Sequence, residues 1–171
     1  MFFHVGFAAR NAVMAAQLAS LGASCSETSL DGTAGFFRAL GCMDRVEMVQ
    51  PFASGHEILS VFHKPAPACN YAQTATQAAA ELGRGIATSE IRSIRVRSTA
   101  AAIAYPGCNH AGPFSKTLQA KMSIHFCVAA ALTRGVIEEA NYRNLSDPEI
   151  TRLASVTTLE LDDELNAAYP K

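Results

Sequence analysis

From Val5 to Leu21, where Gly22 ends the run, the chain is expected to form a helix with almost no wet face. Ala8, Ala9, Ala12, Val13, Met14, Ala15, Ala16, Leu18, Ala19 and Leu21 cover nearly the whole circumference. Arg10, Asn11 and Gln17 leave only a narrow polar strip. A helix apolar all round belongs inside a larger protein or against a partner. Such a first element is expected to need more neighbours than a small domain supplies.

The rest of the chain is punctuated more conventionally. A short helix is expected from Thr33 to Leu40, after the turn at Asp31-Gly32. Residues 50–69 carry Pro51, Gly55, Pro65 and Pro67, which mark a linker with one extended piece, Ile58 to Phe62. Tyr71, Ala75, Ala78 and Leu82 recur at helical spacing until Gly83. Ile91 to Thr99 reads as a strand, with Ile94 and Val96 on one face and Arg95 and Arg97 on the wet one. Residues 105–113 are a loop by composition. Leu118, Met122, Phe126, Ala129 and Leu132 line one side of a long helix ending at Gly135. Asp147-Pro148 starts another helix, with Asp as N-cap and Pro at the first position. Val156 to Asp162 alternates, with Leu159 and Leu161 turned inward. The order αα, β, α, β, α, α, β makes an α+β fold: a small antiparallel sheet packed with helices, preceded by a helical pair. Only two of these strands are well supported, and a two-stranded sheet is marginal without help.

Composition excludes several classes. Apolar residues make up 49% and charged residues 17%, which suits a packed core and not disorder. With a net charge of −1 and no basic block, nucleic acid is not an expected partner. No stretch approaches the length of a membrane span, so no membrane is expected either. No basic region precedes the apolar start, so residues 1–25 do not read as an export signal. The five cysteines form no CxxC pair and their odd count cannot close completely, which favours a reduced, cytoplasmic compartment. Cys108 and His110 match no zinc ligand spacing, so no metal is expected. Asp162, Asp163 and Glu164 read as a solvated cluster at a strand end.

Three segments carry a further signal. His4-Val5-Gly6 opens the Ala-rich helix and is followed by Leu30-Asp31-Gly32 with Gly35-Phe36. His63-Lys64-Pro65-Ala66-Pro67-Ala68-Cys69 leads into a helix, and Met122 to Gly135 runs as Met-Ser-Ile-His-Phe-Cys before a stretch of alanines. In this order and spacing they resemble the MmgE/PrpD family, which includes 2-methylcitrate dehydratase, cis-aconitate decarboxylase and iminodisuccinate epimerase. The resemblance implies a large all-helical domain carrying a smaller α+β lid. Residues 1–45 would be a helical segment remaining from the end of that larger domain. Residues 55–171 would be the lid, lacking its final strand. The implied chemistry, proton removal or addition beside carboxylates, needs no metal or other cofactor.

The resemblance nominates Lys64 as catalytic and His125, Cys69, His4 and Phe126 as substrate-binding. An ammonium can anchor a carboxylate, and desolvation lowers its pKa toward proton transfer. Read from the residues alone, Lys64 is a solvated loop lysine, His125 a satisfied core or boundary histidine, and Cys69 a small buried apolar group. The chain also departs from the family. The lysine three residues before the histidine matching His4 falls on Met1, and the helix tyrosine is replaced by Phe126, which cannot donate a proton. The chain is therefore expected to be inactive alone and to self-associate, most simply as a homodimer. The alternative is one part of a metal-independent lyase or epimerase acting on a di- or tricarboxylate, with a separate polypeptide supplying the helical domain.

Overall fold

A computed structural model describes residues 3–48, 59 and 61–169. The chain divides into two compact units, Met1–Ser60 and Val61–Lys171. In the first, helix α1 spans His4–Ser20 and buries no residue. Gly22, at φ +89°, takes the left-handed conformation that stops it. Helix α2 is shorter than expected, Phe36–Ala39, and buries Phe37. A 3-10 turn follows at Met43–Met48. The linker and the extended piece expected from Ile58 to Phe62 lie partly outside the described residues, and residues 61–64 carry no regular structure.

The second unit is built around one helix. Expected as a single long helix, the region breaks at Ser123 into α5 (Thr117–Met122) and α6 (Ile124–Arg134). The Ser123 hydroxyl accepts from the Phe126 N–H at 3.0 Å and donates to the His110 carbonyl at 2.6 Å, so this residue both caps α6 and ties it to the preceding loop. Ile124 to Ala131 are all buried, which corrects the one-sided helix expected: Leu118, nominated to the core, is exposed. Helix α3 (Gln73–Leu82) and helix α7 (Pro148–Ser155) pack on α6. Asp147 caps α7 as expected, accepting from the Glu149 and Ile150 N–H groups at 3.0 and 3.2 Å. Arg152 of α7 reaches back to the Thr88 and Ile91 carbonyls at 2.7 and 3.0 Å, holding the turn before the first strand.

The sheet expected to be antiparallel is parallel. Strand β1 (Ile94–Ser98) lies beside β2 (Thr157–Leu161), with Ile94 opposite Thr157 and Ser98 opposite Leu161. Helix α4 (Ala100–Ala104), α5, α6 and α7 all lie between the two strands in the chain. A crossover of that length returns the chain to the end from which β1 started, as parallel neighbours require. The described residues are mostly helical, with these two strands as the sheet. Ile94 and Val96 turn toward the core and Arg95 and Arg97 outward, as the alternation indicates. In β2 only half of the expectation holds: Leu159 packs on the core but Leu161 is exposed. Asp162 is buried instead of solvated. It caps helix α8 (Asp163–Ala168), accepting from the Leu165 N–H at 2.9 Å, and pairs with Arg97.

Gly135 ends α6 at φ +74°, and a Cβ there would meet nothing within 4 Å. Gly135→Ala therefore carries only the conformational cost of a left-handed residue. Urea unfolding should show a loss of about 1 kcal/mol with an unchanged m-value. An unchanged midpoint would remove the assigned role of this glycine.

Candidate functional site

Pro65 and Pro67 restrict the backbone of the stretch that carries Lys64. Residues 66–69, just after Lys64, are held by Gln73, at the start of α3. The buried Gln73 amide accepts from the Ala66 N–H at 3.1 Å. Its nitrogen donates toward the carbonyls of Ala66, Ala68 and Cys69 at 3.0, 3.1 and 3.2 Å. Ala66 is consequently buried, while His63, Lys64 and Pro65 stand exposed just ahead of the clamp. The Lys64 ammonium makes no hydrogen bond or ion pair among the described residues.

His125 and Phe126 sit on the buried helix. Nδ1 of His125 lies 3.3 Å from the Ala154 carbonyl and Nε2 lies 2.9 Å from Oδ1 of Asn109. Two acceptors suit a doubly protonated ring, whereas burial opposes its charge. Burial is the larger effect and lowers the pKa, with a smaller push from His110; backbone hydrogen bonds at Ala154 and Thr157 act the other way. The neutral ring has one N–H, so one contact requires the Asn109 amide to turn and donate. Phe126 is fully buried, stacked on Tyr142 at 5.7 Å and meeting Phe114 edge-on at 5.0 Å.

Cys69 is half-buried, its N–H donating to the Lys121 carbonyl at 2.8 Å and its sulfur 3.6 Å from that of Cys108. His4 is the first residue of α1, exposed and in the other unit. Cys69 and His125 thus meet adjacent residues of one loop, Cys108 and Asn109. Phe126 packs instead between Phe114 and Tyr142. Lys64 has no such link. Gln73 and Asn109, which organise this region, drew no notice in the sequence. A glutamine at a helix start and an asparagine in a Gly-rich loop carry no pattern that marks their long-range partners.

A cleft of about 710 Å³ lies elsewhere in the same unit, walled by α3, β1, α6 and α8. Tyr71, Ala75, Leu82, Val96, Leu132 and Leu165 contribute to its mostly apolar lining. None of the five nominated residues lines it. At its rim the Tyr71 and Tyr169 hydroxyls meet at 3.3 Å; that hydrogen bond first, then burial, pushes Tyr71 up to about 12, so it stays protonated at neutral pH. Among the described residues no three His, Cys, Asp or Glu side chains cluster as metal ligands do. No helix among them is long and apolar enough to cross a membrane.

Residues 66–171 match the family model of the MmgE/PrpD C-terminal domain. No individually curated relative matches the chain.

The lowered pKa of His125 fixes a sign. Below the ordinary histidine value of about 6.5 the unfolded chain binds the proton first. The stability held by the neutral buried ring is complete above that pH and is lost as pH falls from there through the folded value. Unfolding free energy should therefore drop more steeply with acid for the natural chain than for His125→Gln. Parallel curves between pH 7 and pH 5 would show that His125 is not buried neutral.

Proposed function

The chain belongs to the MmgE/PrpD family, and on that premise we propose that it binds a carboxylate through Lys64, does not turn it over alone, and self-associates. The observation that carries this reading is the contrast between Lys64 and the groups nominated to work with it. Lys64 is exposed and unpartnered among the described residues, on a segment pinned by Gln73. His125 has both ring nitrogens engaged internally, Phe126 has no proton to give, and the Cys69 sulfur lies against Cys108. One positioned cation can bind an anion. Proton transfer at carbon also needs a donor and an acceptor placed on the substrate.

Helix α1 supports the self-association. Phe7, Met14 and Leu18 recur at helical spacing and are 59%, 46% and 52% exposed. Burying such side chains is worth roughly 1.5–3 kcal/mol each, and a two-fold contact would cover the same stripe on both copies.

A second reading is favoured by the same unpaired ammonium: the chain supplies the lysine of a di- or tricarboxylate lyase or epimerase, and a separate helical polypeptide supplies the acid and base. One set of assays separates the two. The purified chain should not dehydrate 2-methylcitrate or decarboxylate cis-aconitate, and turnover of about 1 per second or faster would overturn the first reading. Turnover that appears only after a second polypeptide is added, and that Lys64→Ala cuts by a few tens-fold, would establish the second. Light scattering at micromolar concentration should give twice the chain mass, falling to a monomer in Met14→Glu and Leu18→Glu. A dimer intact in both variants would show that α1 is not the interface.

A further inference from the structure

Two thiols far apart in the chain are held in contact at the centre of the second unit. Cys69 sits at the entry to α3, its backbone N–H bonded to the Lys121 carbonyl. Cys108 sits in the loop after α4. Its N–H donates to the Tyr105 carbonyl at 3.0 Å and its carbonyl accepts from the Ile124 N–H at 3.0 Å. With both backbones fixed, the sulfurs lie 3.6 Å apart and unbonded. Their surroundings differ: Cys108 is 0% exposed, whereas Cys69 is only half-buried. The other three thiols offer no such pairing among the described residues. Cys25 is exposed, Cys42 points at the Phe37 carbonyl, and the buried Cys127 engages Ala120, Lys121 and Tyr142.

We propose that Cys69 and Cys108 form a reversible oxidation site whose co-reactant is hydrogen peroxide. The Cys69 thiolate attacks one peroxide oxygen and the O–O bond breaks. Cys69 becomes a sulfenic acid and the other oxygen leaves as water after protonation. The Cys108 sulfur then attacks the Cys69 sulfur. The S–O bond breaks, the hydroxyl leaves as water with the Cys108 proton, and an S–S bond forms. Two thiols are oxidised and one peroxide is reduced to two waters. Burial first, and then contact with Cys69, push Cys108 up to about 12, which keeps it protonated and leaves the first attack to Cys69. The bond would tie the start of α3 to the loop whose next residue, Asn109, contacts His125. Oxidation would thereby stiffen the join between the start of α3 and that loop.

The test treats the full chain with a small excess of hydrogen peroxide, alkylates the remaining thiols, and maps the unreduced peptides by mass spectrometry. The first cross-link expected joins the Cys69 and Cys108 peptides, two hydrogens lighter than their sum, and disappears with dithiothreitol. In Cys108→Ala, Cys69 should accumulate as a sulfenic acid trapped by dimedone. In Cys69→Ser, which leaves the buried thiol in place, Cys108 should stay fully alkylatable after denaturation. The proposal is overturned if Cys25 or Cys42 oxidises while Cys69 and Cys108 remain thiols, if Cys69 links first to Cys127, or if Cys108 oxidises equally in Cys69→Ser.

Discussion

The second unit depends on a helix whose first eight residues are all buried. Every side chain from Ile124 to Ala131 is buried, and the run Ala129-Ala130-Ala131 is small enough to let α3 and α7 approach α6 closely. A helix surrounded in this way has no solvated face to orient it, so its position is set by polar contacts at its ends and at His125. Ser123 does so at the start, capping the helix and holding the His110 carbonyl. At the other end Gly135 turns the chain away, and Arg134 pairs with Asp147, the cap of α7, at 2.6 Å. That ion pair is partly exposed on the arginine side, and its own contribution is modest. Its value is geometric, because it joins the end of one buried helix to the start of the helix packed on it.

Buried polar contacts extend the same control to the loops. Gln73 engages four backbone groups of residues 66–69 with one side chain, its two N–H donors shared among three carbonyls, and so fixes the backbone just after Lys64. Asn109 and the Ala154 carbonyl fix the ring of His125. Leaving any of these groups unpaired in the interior would cost about 1–3 kcal/mol. The region around α6 is therefore held rigid by hydrogen bonds, whereas the outer faces of α1 are apolar and open. Rigidity and exposure are separated along the chain.

How much of this was legible follows the range of each interaction. Local chemistry read correctly: Gly22 and Gly135 as stops, Asp147-Pro148 as a start, Ile94 and Val96 facing in while Arg95 and Arg97 face out. The strand direction did not, because β2 is paired from across a crossover of four helices and nothing within either strand encodes its neighbour. The break at Ser123 was hidden by apolar residues that continue on both sides of it. Asp162 looked like one of three solvated acids until α8 and Arg97 gave it a cap to form and a cation to meet. Of the candidate site, the nominations came from the resemblance, while the environments followed the plain reading of the residues: Lys64 is exposed, and His125 is buried with both ring nitrogens bonded. Lys64 is exposed and Phe126 fully buried, although the resemblance assigned both to one site.

That divergence bears on what a lysine in this position can do. An ammonium in water keeps its proton and its hydration shell, and its attraction to a carboxylate is screened. To become a selective anchor or a proton donor it must be covered, and the cover must bring its own hydrogen-bonding groups. The polar side chains of Gln73, Asn109 and Ser123 are already engaged inside the unit. On the proposed reading, a cover for the exposed Lys64 would arrive from the solvent side. The clamp at Gln73 holds residues 66–69 and leaves Lys64 exposed ahead of them, so on the proposed reading the backbone just after the lysine is ordered before a carboxylate docks.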